Sequence, residues 1–119
     1  MTYIVLLALL QIKHFFADFA FQTEGHFKYK GVYGHVVGMQ HSLLHAILTS
    51  LVFLVLSFPI MVIIVAGLID FVLHYHIDYV KMKYGTKNSN SKRYWVEFGL
   101  DQLAHQFTYI LLIILTIGT

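Results

Sequence analysis

Four apolar stretches, each about twenty residues long, fill most of this 119-residue chain, and histidine interrupts every one of them, joined by aspartate in three. In hydrocarbon a backbone must satisfy its own polar groups, so an apolar run of about 20 residues becomes a spanning helix. The runs cover about 2–22, 35–57, 59–80 and 94–117. The expected fold is all-α, a polytopic membrane protein forming one up-down bundle of four transmembrane helices over residues 1–119. The composition agrees, with 58% apolar residues, 12% charged residues and a mean hydropathy of +0.70. The first run, MTYIVLLALLQIKHFFADF, has no basic leading region or small-residue cleavage site and continues into Lys13, His14 and Asp18. It is expected to be a retained helix and not a cleaved signal. The chain has no cysteine, which excludes disulfides, iron–sulfur clusters and thiolate metal sites.

The connections set the topology. Only SFP separates the second and third runs, with Pro59 suited to the first turn of the new helix, so these two helices are antiparallel neighbours. The other links, TEGHFKYKGVYG and KMKYGTKNSNSKR, are longer and polar. Gly85 is placed to end the third helix and Ser91 to cap the fourth. In an up-down bundle both long loops lie at one end, and they carry Lys28, Lys30, Lys83, Lys87, Lys92 and Arg93, with Lys81 at their border. The opposite end has no Lys or Arg. The positive-inside rule then puts the loops in the cytoplasm and both termini outside, in a bacterial inner membrane. A net charge of +2 arranged in this way is a topology signal, and no nucleic-acid partner is expected.

Each helix carries a polar ladder of step four. His14, Asp18 and Gln22 lie on the first, and His41, His45 and Thr49 on the second. Asp70, His74 and Asp78 lie on the third, and Glu97, Asp101 and His105 on the fourth. Residues four apart share a helix face, about 6 Å apart along the axis. The pairs come late in helices one and three and early in helices two and four. Because successive helices reverse direction, all four pairs meet at one level near the cytoplasmic side. An Asp at the centre of a spanning helix costs about 2.5–3.5 kcal/mol on insertion scales, so these groups must face the bundle interior and find partners.

The converging set is His14, Asp18, His41, His45, His74, Asp78, Asp101 and His105, five imidazoles and three carboxylates. Paired i,i+4 ligands on a helix are an established way to hold a metal ion, and eight donors suit one or two divalent ions. Zinc is the first expectation, with manganese and iron also compatible. The competing reading is a metal-free His–Asp network that ties the helices together. Lys13 alone cannot neutralise the carboxylates. His26 and His35 belong to the loop side, and His76 points away from the face of His74. Asp70 and Glu97 extend the ladders as supporting partners or helix-end charges, and Gln22 and Gln102 are candidate hydrogen-bond partners. GHVVG has GxxxG form but is a common match. The 19 aromatic residues are expected mostly at the lipid face.

With HFFADFAFQT, HSLLHA, HYHIDYVK and LDQLAHQ, the chain resembles a family of small bacterial and phage membrane proteins known as domain of unknown function 3307, from about His14 to about His105. More distantly the pattern is similar to membrane-bound metal-dependent hydrolases. The resemblance implies a metal-dependent role for the eight residues and supplies no substrate.

The function expected is a membrane-embedded metal-dependent hydrolase opening to the cytoplasmic leaflet. An ion would activate water, and whichever of Asp18, Asp78 or Asp101 is not committed to it would act as general base. Membrane lipids surround the chain, and Lys13, Lys81 and the basic loops would attract a lipid or lipid-linked phosphoester. Assembly into an oligomer is compatible with the pattern. The alternatives are a metal-ion or proton transporter or sensor, and a redox enzyme with di-iron or bis-histidine haem. The outer helix halves are almost wholly apolar, which a path across the bilayer would not want. An ExxH pattern is missing, and haem would leave three aspartates unexplained. A holin would not require the ladders to converge.

Overall fold

The computed structural model describes residues 2–20 and 32–118. Helix α1 (Thr2–Phe15) passes into a π-helical turn (Phe16–Ala20), followed by α2 (Val36–Val55), α3 (Ile60–Tyr84) and α4 (Lys92–Thr116). All four helices are long and apolar enough to cross a membrane. They pack as a ring in which α1 touches α2 and α4, and α3 touches α2 and α4. Cross-helix pairs run in opposite order, Lys13 to His45 and Asp18 to His41, so neighbours are antiparallel. The protein is an up-down, all-α bundle of four membrane helices. Gln22, His26, Lys28 and Lys30 lie outside the described residues.

The helix ends follow local chemistry. His35 stands at the N-cap of α2, where its Nδ1 accepts from the Val37 amide at 3.2 Å. Ser91 caps α4 by accepting from the Tyr94 amide at 3.2 Å. Pro59 sits at the N-cap of α3, one position before the expected first turn, and its carbonyl accepts from Ile63 at 3.1 Å. Helix α2 ends in a Schellman motif. The Phe58 amide donates to Phe53 and the Ser57 amide to Leu54, Ser57 adopts a left-handed φ of 61°, and the Phe53 and Phe58 rings meet at 5.0 Å. This motif turns the chain back within four residues.

Three helices differ from the sequence expectation, and α2 ends at Val55 instead of 57. α3 runs to Tyr84, past the expected end at 80, and α4 starts at Lys92 instead of 94. The apolar run stops earlier, but the polar last turn of α3 stays helical because long basic side chains can reach out of an apolar layer. Lys83, for example, donates to the Tyr79 hydroxyl at 2.7 Å. α3 stops at Gly85, where a Cβ would collide with the Lys81 carbonyl and lie 2.9 Å from Glu97 Oε2. GHVVG is not a continuous helical stripe, because Gly34 precedes α2 with a φ of 80°.

The bundle divides into two halves. Toward the termini, Leu6, Leu10, Phe53, Ile63, Ala66, Tyr109 and Leu112 form a buried apolar core. Toward the long loops, buried histidine and aspartate replace it. Phe15, Phe16, Phe19 and Phe107 face outward, whereas Phe53, Tyr75 and Tyr109 are buried, so the aromatics are not all lipid-facing.

α2 and α3 approach closely at Gly67. A Cβ there would collide with Ser50 Oγ and lie 3.5 Å from the Ala46 carbonyl. Ser50 can rotate away from one methyl group but not from a branched side chain. Gly67→Leu is therefore expected to destabilise the bundle by about 1–3 kcal/mol, and Gly67→Ala by clearly less, in denaturant unfolding of the detergent-solubilised protein.

Candidate functional site

The site begins on α1. At Phe16 the helix widens into a π-helical turn, a local change often found at functional sites. Ala17 is buried and Asp18 faces the bundle, while Phe15 and Phe19 stack at 6.0 Å on the outside. Asp18 Oδ1 accepts from His45 Nε2 at 2.8 Å and His41 Nε2 at 3.0 Å, and Asp18 Oδ2 stands 3.2 Å from His14 Nε2.

Across the bundle, Asp78 is the second carboxylate. Its Oδ1 lies 3.2 Å from His105 Nε2, and its Oδ2 lies 3.4 Å from His74 Nε2 and 3.6 Å from His41 Nε2. The His45, His74 and His105 rings form a column, with centroids at 3.5 Å and 4.1 Å and planes tilted by 27° and 25°. His74 is at its centre. Neither of its ring nitrogens makes a hydrogen bond to a described residue. The nearest oxygens are Asp78 Oδ2, Asp18 Oδ1 at 3.8 Å and Asp70 Oδ1 at 3.8 Å.

Six of the eight expected residues supply ligand atoms to two overlapping groups. One is Asp18, His41, His45 and His74, the other His74, Asp78 and His105, and within each group the atoms lie within 4.8 Å of one another. His14 and Asp101 fall outside both. His14 is held by Tyr109 Oη at 2.7 Å and Gln102 Oε1 at 3.0 Å. Asp101 lies at the loop side, with Oδ1 3.5 Å from His105 Nε2 and Oδ2 accepting from Gln102 at 3.1 Å.

Below the histidines is a layer that the ladder argument did not assemble. Lys13 is buried and donates to Asp70 Oδ2 at 2.7 Å and to His45 Nδ1 at 3.1 Å, and Thr49 donates to the same Asp70 oxygen. Its ammonium stands 4.8 Å from the centre of the Tyr109 ring. Lys13 thus faces the cluster's floor and not an incoming headgroup. An ammonium only donates, so His45 Nδ1 is an acceptor and Nε2 carries the ring proton toward Asp18. Tyr109 was legible as the next step of the α4 ladder after His105. For Lys13 the signal was a lone cation in an apolar helix facing the unclaimed Asp70.

The other candidates lie away from the cluster. His76 is exposed, 3.1 Å from the Tyr33 hydroxyl, and Glu97 accepts from Arg93 and from the Thr86 amide at 2.8 Å.

Fold and site together define a multi-pass helical membrane protein with a buried His/Asp cluster in one half of its bundle. Residues 5–119 match the family described as Protein of unknown function (DUF3307), and the chain belongs to that family. No curated protein and no solved structure matches it.

The Lys13–Asp70 pair is open to a double-mutant test. Lys13→Met leaves Asp70 as an uncompensated buried charge, with an expected loss of about 3–5 kcal/mol of unfolding free energy. Lys13→Met combined with Asp70→Leu should recover most of that loss, as measured by denaturant unfolding in detergent.

Proposed function

We propose that the protein is a membrane-embedded metal-dependent hydrolase that binds one divalent ion in the His/Asp cluster and works from the loop end of the bundle. His74 is the observation that carries this reading. Both nitrogens of this imidazole are buried without a hydrogen bond to a described residue, each at a cost of about 1–3 kcal/mol, and a cation bound at one of them removes that nitrogen's share. His74, Asp78 and His105 are the ligands this favours, with His41 and Asp18 beside them. His45 is assigned a supporting role, since Lys13 leaves its Nε2 as a donor to Asp18.

The mixed nitrogen and oxygen donors suit zinc first, then manganese or iron. Such an ion acidifies bound water and polarises a substrate oxygen. Asp101, outside both ligand groups and next to His105, is the residue assigned as general base.

A hydrolase is favoured over a transporter because Leu6, Leu10, Phe53 and Leu112, each at most 1% exposed, fill the other half of the bundle and make the polar cluster one-ended. The basic loop residues put the long loops on the cytoplasmic face of an inner membrane and both termini outside. A lipid or lipid-linked phosphoester of that leaflet is the substrate class.

Two measurements test this. Elemental analysis of purified protein should find about one divalent ion per chain, lost in His74→Ala and Asp78→Ala but kept in His45→Gln. A folded chain without metal overturns the reading. Because the native sequence has no cysteine, single cysteines report topology cleanly. Ser89→Cys should resist a membrane-impermeant thiol reagent applied to intact cells, and Thr2→Cys should react.

A further inference from the structure

An open groove of about 610 Å³ runs between α3 and α4 at the loop end of the bundle. Ile77, Val80, Leu100 and Ala104 line its apolar walls, and Lys81, Arg93, Glu97 and Asp101 supply its charges. The charges are not evenly presented. Lys81 is 26% exposed against 4% for Asp101, and Arg93 is 69% exposed against 24% for Glu97. In each pair the cation is the more accessible member. A ligand in the groove meets an ammonium and a guanidinium first.

Lys81 is also not fully used by the fold. Its Nζ stands 3.6 Å from Asp101 Oδ2 and 4.7 Å from the centre of the Phe98 ring, and it makes no hydrogen bond to a described residue. A partly buried ammonium with three donors favours a charged acceptor at that point. A bare phosphate would engage only the charged end of the groove and leave its apolar walls without a ligand. An amphiphile satisfies both surfaces at once. Asp101 forms the groove's inner edge and touches His105, so a headgroup on Lys81 lies next to the histidine cluster.

We propose that this groove binds a phospholipid with an anionic headgroup from the surrounding leaflet, its phosphate on Lys81 and Arg93 and its acyl chain along Val80, Leu100 and Ala104. This deepens the hydrolase reading by giving its lipid a binding groove and a headgroup charge, and it rests on that reading only for the lipid being a substrate. A basic residue near the membrane surface strengthens the hold on an anionic lipid on the order of fivefold.

The test uses full-length protein with equimolar phosphatidylglycerol and phosphatidylcholine of the same acyl chains, and native mass spectrometry to count the retained lipid. The wild type should retain phosphatidylglycerol preferentially, Lys81→Gln should reduce that preference on the order of fivefold, and Lys81→Arg should keep it. Ala104→Phe, which fills the groove, should lower retention of both lipids. Equal retention of the two lipids by the wild type, or an unchanged preference in Lys81→Gln, overturns the proposal. So does displacement of the lipid by excess inorganic phosphate, which would make the ligand a soluble anion. Metal content measured on the same samples separates the two readings. Preferential lipid retention by a metal-free protein keeps this inference while sinking the hydrolase.

Discussion

The carboxylate of Asp18 joins the parts of the bundle that sequence alone leaves separate. One oxygen accepts from two histidines of α2 and the other faces His14, on its own helix, in the half of the bundle where an apolar core is missing. A carboxylate in so dry a place is tolerable only if several donors converge on it. That requirement accounts for the π-helical turn that carries Asp18, for the two histidines spaced one turn apart on α2, and for the close seating of α1 against α2. Asp78 makes the equivalent demand on α3 and α4 through His105 and His74.

Between these two carboxylates the histidines have little freedom. His45 is committed by Lys13 on one side and Asp18 on the other, and His14 by Tyr109 and Gln102. Among the described residues, His41 and His105 each leave Nδ1 without a hydrogen bond, and His74, at the centre, leaves both ring nitrogens so. Buried polar networks are stabilising when complete and costly when partly satisfied, and this is why His74 carries the proposal of a bound ion. Lys13, Asp70 and Thr49 close the network below, and beyond them the interior is apolar. Toward the loop end, His105 and Asp101 link the cluster to Lys81 and the groove between α3 and α4.

The step of four, repeated on every helix, made the cluster legible before any coordinates: it placed Asp18, His41, His45, His74, Asp78 and His105 on inward faces at one depth. The same reasoning could not rank them. His14 and Asp101 satisfy the ladder as well as their neighbours do, yet they sit one contact outside the ligand groups. Helix periodicity specifies direction to within a face, whereas ligation depends on side-chain positions to within an ångström or two. Lys13 shows the other limit. Read along the chain, it adjoins His14 and suggests a cation near the site's opening. In the bundle it turns to Asp70, 57 residues away, because a buried ammonium and a buried carboxylate each lower the other's desolvation cost.

The sequence by itself determined that the chain is an all-helical, four-span membrane bundle, and that its polar residues gather in the half nearest the long loops. Backbone satisfaction in hydrocarbon and the 3.6-residue period leave no other arrangement for runs of that length and spacing. The tertiary structure decided which histidine keeps both nitrogens without a hydrogen bond to a described residue, which lysine is consumed inside the bundle, and which carboxylate links the cluster to the groove. Those outcomes depend on distances between helices that are far apart in sequence. Packing fixes such distances, and no local pattern encodes them.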